Sequence, residues 1–111
     1  MDKSHGQLIY ASEKFAMAIY RLAIGPGDVR SRLRDAFYEV HPVQSSLLPD
    51  GIRQEYDWIL EQLTKCEPRF ERDSRLDATL SKMRNNTGTK IAKRIVELKR
   101  RIDDLLEPMS T

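Results

Sequence analysis

From Ser74 to Glu107 a single apolar stripe stays in phase for about nine helical turns. Leu76, Leu80, Met83, Thr87, Ile91, Ile95, Leu98, Ile102 and Leu105 follow one another at steps of three or four. A stripe of that period predicts a helix laid along other apolar elements, with its remaining surface turned outward. At 1.5 Å per residue a continuous helix over 74–107 would be roughly 50 Å long, against roughly 30 Å for the helix predicted at the N-terminus. The two shorter helices between them come to about 40 Å laid end to end. Either those two share the long helix, or its end projects and needs a partner.

The breaks in the chain define the other helices. The first runs over about 4–23, where Ser4 and Gln7 have the spacing of a capping box. Gly25-Pro26-Gly27 stops it, because proline cannot continue the hydrogen-bond ladder and glycine permits the turn. Asp28 sits where a cap belongs for a second helix over 29–40, whose Val29, Leu33, Ala36, Phe37 and Val40 share one face. His41-Pro42 ends that helix, and a loop over 43–49 leads to a third over 50–65, carrying Ile52, Tyr56, Ile59, Leu60 and Leu63. A connection over 66–73, with Pro68 and alternating charges, leads into the fourth. Inside the fourth, Asn85-Asn86-Thr87-Gly88-Thr89 are five weak helix formers, together costing on the order of 3–4 kcal/mol against alanine. A turn there would give five helices. Because the apolar phase carries through from Met83 to Ile91, the reading taken is one continuous, locally weakened helix. Gly88 lies on the flank of the stripe, where a missing side chain lets a neighbouring helix approach. No segment alternates with period two. The expected fold is therefore all-α, a four-helix bundle-like single domain over 1–111 with a long C-terminal helix.

Composition narrows the class of function. The chain of 111 residues is 40% hydrophobic and 32% charged, with a formal charge of only +2, too small to name a partner. Cys66 is the sole cysteine, and with His5 and His41 it is too scattered for a zinc site, so neither a disulfide framework nor a metal is expected. No window approaches 18 apolar residues, and the polar N-terminus leads into no cleavable apolar region; a cytoplasmic chain without membrane contact is the expectation. A Gly-rich phosphate loop, HExxH and GxSxG are all missing from the sequence, and no cofactor is implied.

Three surfaces look unfinished. The first helix carries a main stripe, Leu8, Ala11, Phe15, Ala18, Ile19 and Leu22, and a second one almost opposite, Tyr10, Met17 and Ile24, at heptad steps. The second stripe points to either a central helix of the bundle or a homodimer seam, and the homodimer is preferred. Trp58 projects away from the apolar arc of the third helix, so it is covered by the 43–48 loop or serves as a partner anchor. Between Lys82 and Arg101 eight basic residues stand against the single acid Glu97. Lys82, Lys93 and Arg100, flanked by Lys90 and Arg101, line up opposite the apolar stripe, in a shape suited to an acidic protein partner or a phosphate backbone. The bland alternative is a solvated face, since no aromatic residue is interleaved along the helix and Glu97 is spaced for ordinary helix pairs. The acidic third helix, with Asp50, Glu55, Asp57 and Glu61, is equally fitted to pair with it. Arg84 points into the apolar arc of a continuous helix and is expected to snorkel to its edge.

One constellation suggests chemistry. Arg30, Arg34 and His41 lie on one flank of the second helix beside Tyr38, an imidazole near two guanidinium groups. Over eight residues of that helix, Arg34-Asp35 and His41 resemble the HEPN ribonucleases, small α-helical proteins, often dimeric, with an arginine, a following polar residue and a histidine further on. The resemblance implies a metal-independent ribonuclease in which Arg34 binds phosphate and His41 transfers the proton. The structural alternative makes His41 a helix C-terminal residue placed there for capping and the dipole. The preferred reading is a non-catalytic helical interaction module, homodimeric, whose basic C-terminal helix binds a protein partner or nucleic acid. The ribonuclease and a purely structural assembly subunit are the alternatives.

Overall fold

Each predicted break appears in the computed structural model, which describes the backbone of residues 3–107 and the side chains of residues 5–107. The elements are α1 (Lys3–Ile24), α2 (Val29–Val40), a short 3-10 turn (Ser45–Leu47), α3 (Asp50–Thr64), α4 (Arg75–Lys82) and α5 (Asn85–Leu106). The fold is all-α, with no strand among the described residues. The backbone of α1 is already helical at Lys3, one residue before the expected cap. The side chain of Ser4, on which the capping-box reading depends, lies outside the described residues.

The α1–α2 hairpin follows from its four-residue connection. Gly25 has no room for a side chain: an added Cβ would lie 2.6 Å from the Arg21 carbonyl oxygen and 2.9 Å from Arg32 Cγ. Gly27 adopts φ 85°, which L side chains resist. Asp28 then caps α2, accepting from the backbone N–H groups of Arg30 (3.0 Å) and Ser31 (3.3 Å). The Arg30 guanidinium and the Ser31 N–H hold the Asp28 carboxyl below its usual value of 3.8. Arg32 Nη1 donates to the carbonyl of Leu22 (2.9 Å), satisfying a free acceptor in the last turn of α1.

The expected continuous C-terminal helix is two helices. Met83 (φ −79°, ψ 139°) and Arg84 (φ −83°, ψ 152°) are extended and separate α4 from α5. Arg84 thus stands exposed as the residue before α5 and does not snorkel from an apolar arc. The weak formers Asn85 and Asn86 occupy the first turn of α5, where a poor helix interior costs little. The apolar phase survives because Leu80, Met83 and Ile91 all bury against the same core on either side of the break. Breaking there also removes the length conflict: α1 and α5 are each 22 residues, about 33 Å, and pack side by side. Gly88 does allow the close approach expected of it, since a Cβ there would lie 2.8 Å from Val29 Cγ1 and 3.3 Å from Leu33 Cδ1.

The core joins Phe15 of α1, Leu33 of α2, Tyr56, Ile59 and Leu63 of α3, and Ile91, Ile95, Leu98 and Ile102 of α5, all fully buried. Tyr56 meets Phe15 edge-on at 6.0 Å. Its hydroxyl lies 2.8 Å from the carbonyl oxygens of both Val40 and Val43, and donates its proton between them. This ties the end of α2 to α3 where the chain leaves the helix. Burial pushes the Tyr56 phenol well above its ordinary value of 10.0. Tyr56→Phe leaves the Val43 carbonyl buried without this donor and should cost about 1–2 kcal/mol, lowering Tm by roughly 5–10 °C. The unfolded chain ionises this phenol above pH 10 while the folded chain keeps it neutral, so stability declines as pH rises past 10. Thermal melts of wild type and variant at pH 7 and above 10 should show the gap between them narrowing at the higher pH.

Candidate interaction surfaces

Two helices, α3 and α5, present the charged surface. Glu55 lies about one helical turn before Trp58 on α3, and its carboxylate accepts from Arg94 Nη1 at 2.9 Å and lies 3.8 Å from Arg101 Nη1. The expectation that the acidic third helix pairs with the basic one is met within the chain, through Glu55. Asp50 pairs with Arg53 on its own helix, and Asp57 accepts from Ser45. These contacts take Arg94 and Arg101 out of the free basic row. Lys90, Lys93 and Arg100 remain exposed on the outward side of α5 and make no ion pair among the described residues. Lys99 pairs instead with Asp103, which also accepts from Ser12 Oγ of α1 at 2.7 Å. Burial raises the Asp103 carboxyl, but Lys99 and Ser12 outweigh it and hold the group below 3.8.

Lys82 does not continue that row, because the break at Met83 and Arg84 puts it on α4. It lines a separate pocket of about 250 Å³ with Lys65, Cys66, Thr79, Met83, Arg84 and Thr87. Thr79, itself buried, accepts from the Cys66 N–H at 2.9 Å and closes the connection over 66–73 onto α4.

Trp58 is half-buried, and its cover is α5, where the sequence suggested the 43–48 loop. The Arg94 guanidinium carbon sits over the indole, 4.8 Å from its centroid. Lys90, Lys93, Arg94 and Glu97 line a shallow groove with Trp58, about 470 Å³ in volume. An aromatic ring is therefore set among the basic residues after all. Sequence reasoning missed it because the ring comes from α3, and a period along one helix cannot reveal a neighbour contributed by another.

A second surface lies on α1. Tyr10, Met17 and Ile24 face outward as a row, and Ile9 and Tyr20 join them. Exposure runs from 37% at Tyr10 to 59% at Ile24. Val96 of α5, also exposed, stands two helical turns before Asp103, which meets Ser12 of α1, and so shares that side of α5. Ile9 and Tyr20 were legible: eleven residues apart, they fall on one helical line next to the heptad row. Together the six residues expose on the order of 500 Å², most of it apolar, in the upper half of the range for the largest patch on a monomer.

The pair drawn from the ribonuclease resemblance is held by structural partners. Arg34 Nε donates to Asp77 of α4 at 3.0 Å. His41 caps α2, with its ring stacked on Phe37 (5.5 Å between centroids, 8° between planes) and Nδ1 3.2 Å from the Tyr38 carbonyl oxygen. Seven residues of helix, about 10 Å of rise, separate them. Arg30 is turned to Asp28 and to the Met83 carbonyl. Among the described residues no three His, Cys, Asp or Glu side chains converge to hold a metal ion, and no helix is long and apolar enough to cross a membrane.

Comparison with protein-family models, curated proteins and solved structures returns no match. The surfaces themselves carry the functional argument.

Arg94→Ala should uncover the indole and remove both the cation–π contact and the Glu55 pair, for a loss of about 1 kcal/mol. Trp58 is the sole tryptophan, so its emission should shift to longer wavelength while the helical circular dichroism is unchanged.

Proposed function

We propose that this chain is a non-catalytic helical interaction module that works as a homodimer, joined along the outer face of α1, and offers the basic face of α5 to an acidic partner. The observation that carries this reading is the row of Ile9, Tyr10, Met17, Tyr20 and Ile24, extended by Val96, left exposed on one side of the protomer. Leaving that much apolar surface in water is unfavourable at roughly 25 cal/mol per Å², and a second copy is the occupant that the row's own symmetry suits. Two α1 helices laid antiparallel about an axis near Met17 set Tyr10 of each copy level with Ile24 of the other. The same arrangement sets Glu13, the acid within the face, level with Arg21, whose Nε also donates to Glu39 of its own protomer at 3.0 Å. The small residues Ala16 and Ala23, both exposed, let the helices approach. With its flanking methylenes the face approaches the roughly 800 Å² per partner of a stable interface.

Met17 and Tyr20 do not contribute to the protomer core, so charge placed there tests association without unfolding the chain. In light scattering after gel filtration the wild type is expected at twice the chain mass of 12.9 kDa. Met17→Glu and Tyr20→Glu should each give a folded protomer of single mass. A wild type that stays at single mass at high concentration, unchanged by either substitution, would overturn the dimer. A dimer that binds no acidic partner would leave a structural assembly subunit, and RNA cleavage abolished by His41→Ala would move the ribonuclease reading ahead of both.

A further inference from the structure

We infer that the groove between α3 and α5, centred on Trp58 and Arg94, is a binding site for single-stranded nucleic acid. This deepens the reading of the α5 face as a binding surface and does not depend on the dimer. A single strand asks two things of a protein: cations spaced to follow its phosphates and a flat group on which a base can stack. The groove has both. Lys90 and Lys93 are exposed, unpaired among the described residues, and less than one helical turn apart, with Arg100 two turns further along. The flat group is a composite. Glu55 at 2.9 Å and the indole of Trp58 at 4.8 Å fix the Arg94 guanidinium, whose side chain is still 43% exposed. A guanidinium held in this way offers a planar cationic surface beside the partly exposed Trp58, and bases stack on arginine planes as they do on aromatic rings.

Duplex is the poorer fit. Its stacked bases present only their edges, and none of the groove residues projects as a helix into a major groove, since α5 is seated lengthwise on α1 and α3. An acidic peptide would satisfy the lysines but has no use for the Trp58–Arg94 surface. Glu97, within the same groove, opposes any phosphate placed there and makes a sensitive probe.

The test is a titration of the full chain with fluorescently labelled single-stranded oligonucleotides of RNA and of DNA, with duplex DNA and heparin as competitors. Anisotropy reports binding, and quenching of the sole tryptophan reports stacking at the groove. Expected are saturable binding, quenching of Trp58, and preference for single strands over both competitors. About three phosphate contacts, from Lys90, Lys93 and Arg100, predict a loss of roughly 20-fold between 50 and 200 mM salt. Lys90→Glu with Lys93→Glu should weaken binding at least tenfold with the helical spectrum intact, and Glu97→Gln should tighten it severalfold. Binding without quenching, or heparin and duplex competing as well as single strands, would overturn the site in favour of general polyanion attraction. No anisotropy change at low salt would overturn it outright. Neither outcome touches the dimer, which the mass measurement reads separately.

Discussion

The seating of α5 governs both surfaces of this protein. Its first turn can lie against Val29 and Leu33 only because residue 88 is glycine, and it can start there only because the chain breaks at Met83 and Arg84. Once placed, one flank of α5 brings Arg94 and Arg101 over Glu55 and Trp58. The other brings Asp103 to Ser12 and sets Val96 towards the open side of α1. The outward side is left with Lys90, Lys93 and Arg100. The groove and the Val96 edge of the apolar face are thus two consequences of one packing arrangement.

Magnitudes separate what holds α5 from what it offers. Each of Ile91, Ile95, Leu98 and Ile102, wholly buried, contributes roughly 1.5–3 kcal/mol. The ion pairs around them are partly solvated, and pairs of that kind are worth up to about 1 kcal/mol each. The helix is therefore held by its apolar side, and its outward charges are free of structural duty. Glu55 differs in kind: by taking up Arg94 it fixes the orientation of a guanidinium that would otherwise be mobile, and that organisation matters more than the energy of the pair.

Much of this fold is written in local signals. The second helix has the limits that Asp28 and His41-Pro42 imply, and the third ends one residue before its expected limit, because caps and prolines act through the backbone next to them. The break before α5 was hidden for a physical reason. Two extended residues whose flanking helices bury against the same core leave the apolar spacing undisturbed, and the weak run that hinted at a turn lies just past it, where a helix start tolerates asparagine. Of the surfaces, the row of Tyr10, Met17 and Ile24 was legible because it belongs to one helix. The Trp58 groove was not, since it exists only where α3 meets α5.

Association of two copies along α1 can be read from isotope-filtered nuclear Overhauser measurements on a mixture of labelled and unlabelled chains. Expected are contacts between copies from the Ile24 methyls to the Tyr10 ring and from the Met17 methyl to the Tyr20 ring. Contacts between copies that arise only elsewhere on the molecule, or none at concentrations well above those of gel filtration, would contradict that association.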